Sequence, residues 1–291
     1  GWHDWYLAAN IKKKNKLSNL LIKGLLTDGV PNNLKNTIHT FKYNDFNYLK
    51  NLIDKNPQIG VIKMEVQRNQ EPQKKFLMEI RNLCTKKNII LIFDECTSGF
   101  RETYGGLHKK YKINPDLAIF GKALGNGYAI TAVVGKKEIM ENAKNTFISS
   151  TFWSERIGFT AGYYCLKYMK QFETWNYISQ IGKYIKNEWR KIFLRYDLEV
   201  EINGLESVPS FNFKNKNSER STFITQEMLK NNFLAGNTIF VSFAHKKIHI
   251  KKYLESFEEV IEKLKKTEDS GINISDKLLG PVKAESFKRL N

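Results

Sequence analysis

The chain has 291 residues, of which 41% are hydrophobic and 13% aromatic, and its formal net charge is +17. This composition excludes an intrinsically disordered protein, and the length allows more than one domain. No run approaches the length of apolar sequence that spans a bilayer, so we expect no membrane protein. The cysteines Cys84, Cys96 and Cys165 lack the spacing of a zinc site and favour a reducing cytoplasm.

The positive charge has two interpretations. A basic protein can bind a polyanion such as nucleic acid. Here, however, the basic residues are mostly dispersed, and no nucleic-acid-binding motif accompanies them. We therefore interpret the charge as that of a lysine-rich solvated surface and expect no nucleic-acid partner.

The first half of the chain has the pattern of an α/β fold. Apolar runs predict strands at 37–43, 59–64, 89–93, 117–120 and 130–134. Helical periodicity is present at 44–56 and between Phe76 and Cys84. A strand, a helix and a strand in succession favour a mostly parallel sheet connected by crossover helices.

The second half has the α+β pattern of a smaller domain. Helices are predicted from residue 155 onward and at 222–232 and 250–266, and strands at 198–202, 210–213 and 238–243. We predict a large domain over residues 1–173 and a small C-terminal domain over 174–291.

Polar side chains follow the ends of three predicted strands. Glu65 and Asp94 each end an apolar run, and Lys122 follows Gly121 after another. Ligands of open α/β sheets bind beyond the carboxyl ends of the strands, so these side chains are expected to share a site. The hydroxyl cluster 149–151 precedes a predicted helix, where backbone amides suit an anion. An acid, an amine and an anion site together suit a pyridine aldehyde phosphate.

Three segments here resemble a known family in their order and spacing: LIFDECTSGFR, NPDLAIFGKALGNG and SSTFWSERIG. They are similar to the class III pyridoxal-phosphate (PLP) aminotransferases, close to the glutamate-1-semialdehyde aminomutase branch. The resemblance implies the fold type I PLP-dependent transferase fold, with a mostly parallel sheet in the large domain. In that family GWHDWY follows an earlier part with the phosphate-binding loop, so we expect this sequence to be the later part of a longer chain.

The resemblance also implies a role for individual residues. Lys122 would form the Schiff base with the cofactor, and Asp94 would pair with the pyridine nitrogen and favour its protonated form. Cys96 would lie against the ring face, and Thr97 occupies the position associated with the ring hydroxyl. Thr151 would reach the phosphate of the neighbouring subunit's cofactor, which implies a homodimer with shared active sites.

Each role has a simpler alternative. Lys122 could be a surface lysine, Asp94 a turn cap, and Thr151 an ordinary helix N-cap. Glu65 could contact the active site or only satisfy backbone groups, and Glu95 is expected to be structural. His3 and Trp153 are placed near the site by resemblance alone.

The predicted function is that of a PLP-dependent aminotransferase or aminomutase acting on a small amine, amino acid or related carbonyl compound. Lys122 and Asp94 serve both reactions and do not separate them. No arginine stands in a motif that can be assigned to a substrate carboxylate. The alternatives are a basic binding protein without catalysis and a truncated, inactive homologue.

Overall fold

The computed structural model describes residues 4–11, 27–149 and 154–283. Its helices are α1 (Asp4–Leu7), α2 (Phe46–Lys55), α3 (Phe76–Lys87), α4 (His108–Tyr111), α5 (Lys137–Met140), α6 (Arg156–Phe172), α7 (Thr174–Arg195), α8 (Asn217–Lys230) and α9 (Lys247–Asp269). Its strands are β1 (Val61–Glu65), β2 (Ile90–Asp94), β3 (Leu117–Phe120), β4 (Ala132–Gly135), β5 (Val200–Leu205) and β6 (Val208–Phe213). Within the described ranges, no helix is long and apolar enough to cross a membrane.

The larger sheet has the order β1-β2-β3-β4. Strands β1, β2 and β3 are parallel, and β4 runs antiparallel to β3. Glu65 is the register partner of Asp94, which is in turn the partner of Ile119. The carboxyl ends of the three parallel strands therefore meet at one edge, and the predicted mostly parallel sheet is confirmed.

The two faces of this sheet differ because side chains alternate along each strand. On one face of β2, Leu91 and Phe93 are fully buried and share a hydrophobic cluster with Ile80 of α3. On the other face, Asp94 remains partly accessible, as does Glu65 of β1. One face thus forms the core, while the other presents the polar side chains at the strand ends.

The second half forms its own hydrophobic cluster around the β5–β6 hairpin. The Trp189 ring of α7 lies 4.9 Å from that of Phe211 on β6, measured between centroids. Phe257 of α9 packs on the same Phe211 ring at 5.7 Å. Burial of these large aromatic side chains is the main stabilisation of this region.

Two of the predicted strands were wrong. Residues 37–43 form no strand; instead, the Tyr43 hydroxyl donates a hydrogen bond to the carbonyl of Val66. Residues 238–243 run beside β6, but within the described part of the chain their β-pairing is limited to an isolated bridge between Thr238 and Ser210. Pro209 of β6 has no N–H to donate, so it cannot complete a regular ladder with this segment.

Candidate active site

Asp94 lies at the carboxyl end of β2 and has two hydrogen-bond partners among the described residues. Its Oδ2 is 2.8 Å from Nζ of Lys63, and its Oδ1 accepts from the backbone amide of Cys96 at 3.2 Å. Burial by itself would raise the pKa of Asp94, but these hydrogen bonds outweigh it and hold the pKa below its ordinary value. Asp94 is therefore ionised at neutral pH.

Lys122 begins the single 3-10 turn Lys122–Leu124 directly after β3. Its Nζ donates to Oγ1 of Thr97 at 2.7 Å, and its backbone φ is +45°, in the left-handed region. Among the described residues, no carboxylate lies within ion-pair distance of this ammonium. The amine is thus held at one point by a neutral hydroxyl, which leaves it available for chemistry.

Thr97 also anchors a second cation. Its carbonyl oxygen accepts from Nε of Arg101 at 2.7 Å, and the guanidinium lies over the Phe240 ring, 5.1 Å from the centroid. Burial lowers the pKa of Arg101, and no acidic side chain in the described part of the chain forms an ion pair with it. Sequence reasoning missed this arginine, because nothing local to GFR indicates that its side chain lines the same pocket as Lys122.

Glu65 and Cys96 complete the cluster around Asp94. Burial raises the pKa of Glu65, and the negative charge of Asp94 adds to the effect against the opposing charges of Arg68, Lys122 and Lys63. Burial and Asp94 likewise raise the pKa of the Cys96 thiol. The Cys96 thiol is therefore neutral at neutral pH.

Glu95, the neighbour of Asp94, points the other way. It is fully buried and accepts from the backbone amide of His108 and from Nδ1 of the same residue, each at 2.9 Å. The hydroxyl of Ser98 donates to its other oxygen. These contacts fix the turn after β2 and agree with the structural role expected for Glu95.

A pocket of about 820 Å³ opens beside Lys122. Lys122 and Arg101 line it together with Tyr168 of α6, Ile178 of α7 and the segment 240–244. A volume of this size accommodates a small-molecule ligand. The two cations thus share a cavity whose walls are largely aromatic and aliphatic.

Three residues singled out in the sequence lie outside the described ranges: His3, Thr151 and Trp153. Of the predicted site residues, the structure brings together Asp94, Cys96, Thr97 and Lys122. The expected phosphate contact of Thr151 stays a prediction.

Within the described residues, no group of three or more His, Cys, Asp or Glu side chains could hold a metal ion.

The comparison with protein families identifies the class of protein. Residues 68–263, more than half of the chain, match the family model described as Aminotransferase class-III. The chain therefore belongs to the class III aminotransferase family, which confirms the resemblance found in its motifs.

The similar proteins include both aminotransferases and aminomutases. A 3-aminobutyryl-CoA aminotransferase of Cloacimonas acidaminovorans is 29% identical over 280 residues, covering 91% of this chain and 64% of the relative. A glutamate-1-semialdehyde 2,1-aminomutase of Wigglesworthia glossinidia brevipalpis is 30% identical over 264 residues, covering 82% and 61%. The chain spans less than two thirds of the length of these relatives.

Solved structures show the same fold. An omega-transaminase from Sphaerobacter thermophilus superimposes with a TM-score of 0.78 at 16% identity, covering 90% of this chain and 66% of that one. The PLP internal aldimine form of the FumI protein from Sphingopyxis sp. MTA144 gives a TM-score of 0.77 at 20% identity, covering 83% and 61%. The predicted PLP-dependent transferase fold is thus confirmed.

Proposed function

We propose that this chain carries the amino-group chemistry of a PLP-dependent aminotransferase or aminomutase. The observation that supports this most directly is the placement of Asp94 and Lys122 at the ends of neighbouring strands. One is an ionised carboxylate, and the other is an amine without an acidic partner among the described residues. Membership of the class III family supports the same conclusion.

The donor set fits PLP. Asp94 would hold the protonated ring nitrogen, Lys122 would bind at the aldehyde carbon, and Cys96 would pack against the ring. Thr97 would lie beside the aldehyde end through its bond to Lys122, and Thr151 would contact the phosphate. Bound there, PLP supplies an electron sink for the bond broken at the substrate carbon.

The protein's own groups would then perform three tasks. The negative charge of Asp94 would retain a proton on the ring nitrogen. The Lys122 amine would take a proton from the substrate carbon and return it, with the Thr97 hydroxyl holding its Nζ in place. Tyr168 and Phe240 on the pocket wall would limit the access of water.

Arg101 favours a substrate that bears a carboxylate. A half-buried guanidinium without an acidic partner is costly. Among the described residues Arg101 donates a hydrogen bond through Nε alone, so its two Nη groups suit a bidentate anion. The substrate we propose is therefore a small amino compound with an anionic end. Transfer and intramolecular movement of the amino group both use Lys122 and Asp94, so we keep both reactions within the proposal.

We further propose a cytoplasmic homodimer with shared active sites. Helix α6 exposes large apolar side chains to solvent, among them Ile157, Phe159, Tyr163 and Tyr164. Contiguous apolar surface of this kind marks interaction sites, and Thr151 lies just before this helix in the sequence. Tyr163→Glu together with Phe159→Glu should shift a dimer to monomer in light scattering, whereas an unchanged mass would contradict the proposal.

Borohydride trapping tests the proposed function. Purified protein mixed with PLP should show a visible absorbance band that borohydride converts into a pyridoxyl adduct, located on Lys122 by peptide mass mapping. Lys122→Ala should abolish this adduct, and the exposed control Lys137→Ala should retain it.

Three other results would change this interpretation. A band that appears only after residues preceding Gly1 are supplied would identify this chain as one part of the active enzyme. No band in either protein, combined with binding to a polyanion that weakens steeply with salt, would favour a basic binding protein. No band and no such binding would favour a truncated, inactive homologue.

A further inference from the structure

We infer that Lys63 competes with the ring nitrogen of the cofactor for Asp94 and thereby weakens cofactor binding. The inference rests on the proposed function, since it assumes that Asp94 receives that nitrogen. It assigns Lys63 and Glu65 a joint role that follows from the ion pair of Lys63 with Asp94 and from the position of Glu65 opposite Asp94 in the sheet.

The position of Lys63 follows from the sheet register. In β1, Ile62 and Met64 are buried in the core, so Lys63 and Glu65 share the opposite face. Glu65 is directly opposite Asp94, and Lys63 is opposite Ile92. The long side chain of Lys63 reaches diagonally across the strand pair, a distance that such side chains commonly span.

The ion pair with Lys63 uses the carboxylate oxygen of Asp94 that does not accept a hydrogen bond from the backbone. Oδ1 accepts from the Cys96 amide, and Oδ2 lies 2.8 Å from Nζ of Lys63. Both side chains are about three quarters buried, with exposures of 27% for Lys63 and 24% for Asp94. Water therefore screens this ion pair less than a fully exposed one.

A protonated ring nitrogen at Asp94 would place a second positive charge beside the Lys63 ammonium. Like charges at such a distance repel each other, and this repulsion opposes either the binding of the ring or its protonation. The ammonium must therefore leave Asp94, at least in part, when the ring nitrogen binds. The free energy needed for this exchange is subtracted from the affinity for the cofactor.

Glu65 provides an alternative carboxylate partner for Lys63. It lies on the same face of β1, and its pKa is influenced by both Lys63 and Asp94. Movement of the ammonium from Asp94 to Glu65 would keep a carboxylate beside it and leave Asp94 to the ring. Glu65 is thus a positioning residue, because it acts on the cofactor through Lys63.

Pyridoxine 5′-phosphate is the appropriate probe, because it has the ring nitrogen and the phosphate but no aldehyde to react with Lys122. Its Kd would be measured by fluorescence for the wild type and for Lys63→Met, alongside the Kd for PLP. Lys63→Met should bind the probe about tenfold more tightly, because the competing cation is gone. Lys63→Arg keeps the cation and should resemble the wild type, whereas Glu65→Gln should bind the probe several-fold more weakly.

Lys87→Met is the matched control, because it removes a lysine from an exposed ion pair with Asp54 at 3.0 Å. It should not change the Kd. Circular dichroism would verify folding, and Lys63→Gln would replace Lys63→Met if the latter failed to fold.

Equal or weaker binding by Lys63→Met would overturn the inference while leaving the proposed function intact, provided that the wild type binds PLP on Lys122. If neither the wild type nor Lys63→Met bound PLP or pyridoxine 5′-phosphate, the result would count against the proposed function as well as the inference.

Discussion

The Nζ atom of Lys122 lies 2.7 Å from the Oγ1 atom of Thr97. This hydrogen bond connects the turn after β3 with the turn after β2, two segments that the sequence separates widely. A lysine side chain has four rotatable bonds, so a fixed acceptor for its ammonium removes much of its conformational freedom before any ligand binds. The bond thus pre-organises the amine that we propose as the reactive group.

Removal of the Thr97 hydroxyl should slow the capture of PLP by Lys122. In Thr97→Val the side chain keeps its shape but loses the acceptor, so the ammonium samples more orientations. We expect the borohydride-trapped adduct to form about tenfold more slowly, a loss typical of one hydrogen bond to a charged group. Thr97→Ser should restore the wild-type rate, and a Thr97→Val rate equal to the wild type would show that the hydroxyl does not position the amine.

Substitution of Arg101 should affect substrates according to their charge. In Arg101→Met, kcat/KM for 4-aminobutyrate should fall about 10- to 100-fold relative to that for butylamine, which has the same chain without the carboxylate. The exposed control Arg190→Met should leave the ratio of the two values unchanged. An equal loss for both amines would indicate that Arg101 acts only on the local structure, through its bond to Thr97.

Glu227 should control acid stability in the C-terminal half. Its carboxylate accepts from Lys230 at 2.6 Å and from Lys263 at 2.5 Å, and these bonds outweigh the opposing effect of burial and lower its pKa to about 2. Because the folded-state pKa lies below that of the unfolded chain, its stabilisation is complete above about pH 4.5 and is lost as the pH falls towards 2.

Urea unfolding between pH 2 and pH 6 would test this linkage. In Glu227→Gln, the loss of stability across the acidic window should be smaller than in the wild type, and the protein should be less stable than the wild type at pH 6. Glu262→Gln is the control, since Glu262 forms an exposed ion pair with Lys266. Parallel pH profiles for wild type and Glu227→Gln would contradict the assignment.

Gly182 allows close contact between α7 and the β5–β6 turn. A Cβ atom at this position would lie 1.7 Å from the carbonyl oxygen of Glu206. Gly182→Ala should therefore force the helix and the turn apart and lower the free energy of unfolding by about 1–3 kcal/mol. Gly60→Ala, where a Cβ would have no neighbour within 4 Å, should have little effect in the same denaturant titration. Equal stability of both variants would argue against this packing.

The sequence contained enough information to predict the sheet and the polar ends of its strands. The apolar runs before Asp94 and Lys122 predict buried strands from local sequence alone, because the hydrophobic effect favours burial of their side chains in the core. The partners of the site residues were not predictable in this way. Lys63 meets Asp94 only through the register of β1 and β2, and Thr97 meets Lys122 only because β3 lies beside β2.

The failed strand predictions have a related cause. The segment 238–243 has a strand-like composition, but a ladder depends on its neighbour, and Pro209 in β6 cannot donate the bond that would extend it. The β-propensity of a segment depends on that segment alone, whereas a hydrogen-bonded β-ladder requires suitable donors and acceptors on both neighbouring strands.

The division into domains at residues 173 and 174 stays a prediction. The cluster around Trp189 supports it, since its members all lie beyond Glu173. However, Leu205 and Val208 belong to the cluster of the large sheet, so the hairpin turn contributes to both sides of the proposed boundary. A fragment that begins at Thr174 would therefore leave apolar side chains of this turn exposed.

The left-handed backbone at Lys122 has an evolutionary consequence. Most side chains with a Cβ atom are unfavourable at a φ of +45°, whereas glycine, and to a lesser extent asparagine, adopts this conformation more readily. Selection for folding alone would thus favour replacement of the lysine. A lineage that no longer needs the amine should lose it here early, and a folded Lys122→Gly protein should be the more stable one. On the proposed role of Lys122, retention of lysine at this position would reflect use of its amine.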